Sequence, residues 1–72
     1  MSSRLIPLAA MEKVLKQCGA ERVSDKAKAA LKIAIEDIAT EISQRAIKFA
    51  QHAGRKTVKL GDIQLASKEY NN

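Results

Sequence analysis

Residues 24–54 read SDKAKAALKIAIEDIATEISQRAIKFAQHAG, with neither proline nor glycine before Gly54. The large apolar residues fall at Leu31, Ile35, Ile38, Ile42 and Phe49, and Ala27, Ala34, Ala46 and Ala53 fill the gaps. Steps of three and four place them on one face of a helix. Ser24 suits the N-cap, Asp25 the positive end of the helix dipole, and Gly54 the left-handed position just past the C-terminus. At ~1.5 Å per residue such a helix is roughly 43 Å long. A domain of ~100 residues has a radius of gyration near 13 Å, so a 72-residue chain cannot cover this helix alone. The sequence asks for a partner chain.

The totals agree. A chain this short buries only ~60% of its extended surface. Aromatic residues make up 3% and tryptophan is absent, so the core must come from Ile, Leu, Val and Ala. Domains of this size need disulfides, a metal or oligomerisation to be stable. One cysteine excludes an intrachain disulfide and a cysteine-rich zinc site, which leaves oligomerisation. The formal charge is +5 and the isoelectric point about 9.7, and a dimer doubles that charge. A polyanionic partner is favoured. No apolar run approaches the ~20 residues that span a bilayer, so no membrane partner is expected and the expected location is cytoplasmic.

Read in order, the chain divides into a lead-in at residues 1–6, a domain at 7–70 and a frayed end at 71–72. The run LIPLAAM at residues 5–11 is interrupted by Pro7 and ends at Glu12-Lys13, which does not make a signal peptide. Pro7 fits the first turn of a helix, where its missing N–H costs nothing. Leu8, Met11, Leu15 and Cys18 form one stripe, with Cys18 read as a small buried hydrophobe, and Gly19 ends the element. A second short helix is expected over about residues 60–70, with Leu60, Ile63, Ala66 or Ser67, and Tyr70 as its stripe and Leu65 pointing to a second contact. The connections, GAERVSD at 19–25 and GRKTVK at 54–59, are short and basic. Each holds a candidate two-residue strand, Arg22-Val23 and Thr57-Val58, too short to stand alone.

Catalytic machinery is hard to assemble from these residues. There is one His and one Cys, no Gly-rich phosphate loop and no cluster with metal-ligand spacing. His52 has no second ligand near it, and Glu36, Asp37 and Glu41 read as the polar side of a solvated helix. The expectation is no catalytic residue, no metal, no cofactor and no enzyme.

What is informative is the order short helix, basic loop, long helix, basic loop, short helix. The residues of those loops, Gly19-Ala20-Glu21-Arg22-Val23-Ser24-Asp25 and His52-Ala53-Gly54-Arg55-Lys56-Thr57-Val58-Lys59 followed by Asp62-Ile63, resemble the archaeal histones, and the likeness runs from Pro7 to Tyr70. It implies an all-α histone fold: two chains intertwined head to tail, with their long helices crossing. The dimer core would take Leu31, Ile35, Ile38, Ile42, Ile63 and Leu65. The first loop of one protomer would pair with the second loop of the other.

The resemblance also implies a set of sites on double-stranded DNA. Arg22 would enter the minor groove, held by Thr57. Lys13, Lys16, Lys56 and Lys59 would meet phosphates, with Ser24 and Val58 in the same DNA-facing loops. An Arg55–Asp62 salt bridge would fix the second loop. Dimers would join through Phe49, His52 and Asp62 into higher oligomers, and Gly19, Ile33, Asp37 and Lys68 stand where stacking between superhelical turns would occur. Gln17, Gln51 and Gln64 are neutral there and Ile33 is apolar, which places tight stacking in doubt. Nothing reads base edges, so recognition would rest on backbone contact and deformability.

The function implied is that of an architectural protein that wraps and compacts duplex DNA, largely independent of sequence, in nucleosome-like particles or an extended superhelix (a hypernucleosome). It would act at the chromosome or nucleoid, as a homodimer or with other histone paralogues. The alternative is a histone-fold subunit of a transcription-factor complex, against which the short ends and full set of basic loop residues stand. A helical interaction module without DNA is a third reading, to be recognised by DNA binding that fails even at low salt.

Overall fold

Ser24 starts the long helix with its own side chain: its Oγ accepts the Ala27 N–H at 3.1 Å. The computed structural model describes residues 7–72, so the lead-in at 1–6 lies outside the described residues. Three helices follow in order: α1 (Leu8–Gln17), α2 (Asp25–His52) and α3 (Leu60–Asn71). The 28 residues of α2 correspond to ~42 Å of helix. Pro7 occupies the N-cap of α1 rather than its first turn, in an extended conformation, and its carbonyl accepts the Ala10 N–H at 3.2 Å. At the other end α3 runs through Asn71. Among the described residues no strand forms. Arg22-Val23 and Thr57-Val58 stay unpaired because a two-residue strand has no existence without a neighbour.

The two loops begin with the same device. After α1, Gly19 adopts φ +113°, its N–H donates to Lys16 O, and the Ala20 N–H donates to Leu15 O, each at 3.0 Å. After α2, Gly54 adopts φ +71°, its N–H donates to Gln51 O, and the Arg55 N–H donates to Ala50 O, each at 2.9 Å. This paired closure satisfies carbonyls that a helix end leaves open, and it needs a left-handed residue that only glycine adopts without strain.

The chain divides into two compact units, residues 1–37 and 38–72, and α2 contributes a half to each. In the first, Met11 is buried, together with Lys32 and Glu36. In the second the buried residues are Ala46, Ala50, Ala66 and Asp62. Among the described residues no large side chain is fully buried. Of the six residues expected in a dimer core, Leu31, Ile35 and Ile42 are half-buried. Ile38, Ile63 and Leu65 remain exposed, Leu65 by 55%. Leu60, expected to lead the α3 stripe, is 73% exposed. Scattered exposed apolar side chains are ordinary, but six expected core positions of which none is buried are not.

Two expectations are corrected. Cys18 is exposed rather than buried: it sits at the C-cap of α1, with its N–H shared between Val14 O and Leu15 O, past the last turn that packs. Glu36, read as part of a solvated face, is 6% exposed. It is buried together with Lys32, one turn earlier, whose Nζ lies 3.9 Å from its Oε2. Opposite charges leave water more cheaply together than singly.

Candidate nucleic-acid interface

In the first unit the cationic residues lie on α1 and the loop that follows it. Lys13 and Arg22 are exposed and make no ion pair among the described residues. Lys16 is held differently, with its Nζ 3.1 Å from Glu12 Oε2. Glu12 reaches onward to Lys28, 3.4 Å away on α2, and Lys28 in turn meets Asp25 at 3.1 Å. Hydrogen bonds from Lys16 and Lys28 hold the Glu12 carboxyl below its usual range, while those to Asp25 and Glu12 raise the Lys28 ammonium. This chain of charges ties α1 to the start of α2. By linkage, the Glu12 contribution is complete above its ordinary pKa and lost in acid; the Lys28 contribution is complete below its ordinary pKa and lost in strong base. Ser24 accepts a hydrogen bond as the cap, which leaves its O–H free to donate.

In the second unit Arg55 and Asp62 form a two-pronged pair. Arg55 Nη1 donates to Asp62 Oδ2 at 2.8 Å and Nη2 to Oδ1 at 2.9 Å. The same Nη1 donates to Thr57 O at 2.9 Å, and Asp62 Oδ2 also accepts the Lys59 N–H at 2.8 Å. One carboxylate thus fixes both ends of the loop: Arg55 where it leaves α2 and Lys59 where it enters α3. Parallel charge-assisted bonds of this kind are the strong ones. They draw the Asp62 carboxyl down to about 2, the Arg55 guanidinium first and the Lys59 N–H second. Arg55 itself is committed to the loop. Lys56, Thr57, Val58 and Lys59 are left exposed around it, and the side chains of Lys56 and Lys59 make no ion pair among the described residues.

Replacing Asp62 with Asn should therefore loosen the second loop and lower the thermal midpoint at neutral pH by several degrees. A depressed carboxyl adds stability in full above its ordinary pKa of 3.8 and loses it as pH falls through about 2. The D62N protein should show a shallower loss of stability across that window than the parent. Thermal melts at closely spaced pH values check this, and parallel curves for the two proteins would contradict it.

The residues expected at the dimer–dimer contact separate. Phe49 and His52 line a groove of about 420 Å³ with Glu41, Gln44, Arg45, Lys48 and Glu69. Asp62 does not line it; it is 3% exposed and spent on Arg55 and Lys59. Of the stacking positions, Ile33 is 57% exposed, and Gly19, Asp37 and Lys68 are exposed too.

Sequence reasoning missed the charge chains. Glu12–Lys16 and Glu41–Arg45, the latter at 3.6 Å, carry a legible signal in their four-residue spacing. Lys28–Glu12 and Arg45–Glu69, at 3.0 Å, have none, because only the fold brings them together. Among the described residues no group of three His, Cys, Asp or Glu is arranged to hold a metal ion. No helix among them is long and apolar enough to cross a membrane.

Residues 4–66 match the family model described as histone-like transcription factor (CBF/NF-Y) and archaeal histone. The chain is 46% identical over 63 residues to an archaeal histone HAN1 subunit of Thermococcus zilligii, an alignment covering 88% of this chain and 94% of that protein. It is 43% identical over 61 residues to probable archaeal histone 3 of Methanocaldococcus jannaschii, covering 85% and 91%.

Proposed function

Because the chain belongs to the family of histone-like CBF/NF-Y transcription factors and archaeal histones, we propose that it is an architectural protein that binds and compacts duplex DNA as a dimer. The observation that carries this reading is how charge is spent. Arg55, Lys16 and Lys28 are consumed by carboxylates inside the chain, while Lys13, Arg22, Lys56 and Lys59 are not. Those four lie on α1 and the two loops, free to neutralise a phosphate backbone.

In the dimer the unfilled face of α2 meets its equivalent in a second copy, and the Arg22-Val23 segment pairs with Thr57-Val58 of the partner subunit. That pairing sets Arg22 beside Thr57 of the partner subunit for insertion into the minor groove, with Lys56 and Lys59 on the flanking phosphates. Lys13 adds a contact from α1; Lys16, paired with Glu12, would have to leave that carboxylate to add another. Base edges are not read, and the location is the nucleoid. Dimers join further through the Phe49–His52 surface, with homodimers and pairs with paralogues both open. The transcription-factor alternative has less support, since both relatives above are named as archaeal histones.

Micrococcal-nuclease digestion of long DNA saturated with the protein tests the reading. Protected fragments growing by one constant step are expected, as dimers add along the duplex. A single protected length would mean that particles close off. An unprotected template, with the dimer intact in solution, would overturn the packaging role.

A further inference from the structure

The two lysines that α1 offers to DNA are not equally free. Ala9, Glu12, Lys13, Lys16 and Gln17 line one open hollow of about 470 Å³ on the helix, at the steps of three and four that share a helix face. Lys13 makes no ion pair among the described residues. Lys16 shares the hollow with Glu12, whose Oε2 lies 3.1 Å from its Nζ. A phosphate drawn to this pair of lysines therefore meets a carboxylate already seated there.

That carboxylate is anchored from a second side. Its other oxygen, Oε1, lies 3.4 Å from Lys28 Nζ on α2, so each oxygen holds a different lysine. The Lys28 side chain is only 17% exposed, and Asp25 holds it again at 3.1 Å. An inward-held ammonium cannot follow a phosphate off the surface. It keeps Glu12 where it is. Hydrogen bonds from Lys16 and then Lys28 also hold the Glu12 carboxyl below its usual range, so it is charged at neutral pH.

Lys16 could exchange Glu12 for a phosphate only by leaving that anchored charge beside the same phosphate. An exposed ion pair is weak, and so is one lysine–phosphate contact. Repulsion between the vacated carboxylate and the DNA backbone decides between them, and it favours the pair inside the chain. With its two lysines and one fixed glutamate, the hollow presents a single net positive charge.

We propose that Glu12 is a built-in competitor of the DNA backbone: it retains Lys16 on α1, so that each protomer binds phosphate from this helix through Lys13 alone. The proposal rests on the DNA-binding reading above and names the residue that limits what α1 contributes to it. Glu12 acts through Lys16 and is a positioning residue.

The test is the salt dependence of binding to a duplex short enough to hold one dimer. The proteins compared are the unaltered chain, Lys13→Gln, Lys16→Gln, Glu12→Gln, the E12Q/K16Q double variant and Asp37→Asn. An amide at position 12 can still accept from Lys28, and Asp25 still holds that lysine, so circular dichroism should show the parent's helix in E12Q. Two copies of Lys16 are released per dimer, and the slope of log K against log salt should steepen by about two, with affinity at moderate salt rising several-fold. That gain should exceed the gain from D37N, which removes one acid from an exposed position with no ion pair among the described residues. Removing Lys16 should flatten the slope by about two more in the E12Q background than beside Glu12. Equal losses in the two backgrounds, or an E12Q gain no larger than that of D37N, would overturn the proposal. Should E12Q fail to fold, the single lysine variants decide: K13Q should flatten the slope by about two and K16Q by less than half as much, and equal effects would place Lys16 on DNA. An unaltered protein that fails to bind the duplex even at low salt would instead sink the packaging reading itself.

Discussion

Ile38→Glu is expected to abolish the folded protein. In the single chain Ile38 is 39% exposed, and a substitution at such a surface position ordinarily changes stability by only about 0.5 kcal/mol. In the proposed dimer the same residue lies where the two α2 helices cross, and a carboxylate there would be buried without a partner, at a cost of several kcal/mol. The helices have little else to hold them, since no large side chain is fully buried among the described residues. Circular dichroism should show loss of helix at micromolar concentration, and sedimentation should show no dimer. An I38E protein that keeps its helices as a monomer would refute the crossing of α2 on α2.

Arg22→Ala should have the largest effect on DNA at no cost to the fold. Its side chain makes no ion pair or hydrogen bond among the described residues, so its loss removes nothing internal. A dimer carries two copies, each neutralising about one phosphate. Binding should weaken by roughly tenfold or more at moderate salt, and the slope of log K against log salt should fall by about two. The dimer should melt as before. An unchanged salt slope would contradict the placement of Arg22 against DNA; a variant that dissociates would make Arg22 a structural residue instead.

The three helices were legible because their signals are local. Ser24 and Gly54 mark the ends of α2, the apolar spacing marks its face, and Gly19 stops α1 by the same closure as Gly54. These depend on residues within one or two turns. The loops were legible in another way, through a resemblance carried by their residues rather than any physical pattern. What sequence could not show was the partition of charge. Lys28 and Glu12 are 16 residues apart and Arg45 and Glu69 are 24 apart, distances at which spacing says nothing. The burial of Lys32 with Glu36 ran against the usual rule that charged residues face water. Asp62 illustrates the difficulty. The resemblance implied two roles for it, a loop pair and a dimer–dimer contact, and in the structure both carboxylate oxygens already accept hydrogen bonds from Arg55 and Lys59.

The absence of a fully buried large side chain among the described residues has a consequence for how much of this protein a cell can hold. If folding waits on a second copy, the folded fraction rises with concentration, and binding to DNA draws the equilibrium further. Chains made beyond what pairs or binds remain open to proteolysis. Surplus would then be cleared without a dedicated sensor. On that condition an unfinished core would make the supply of the protein follow the demand of the chromosome.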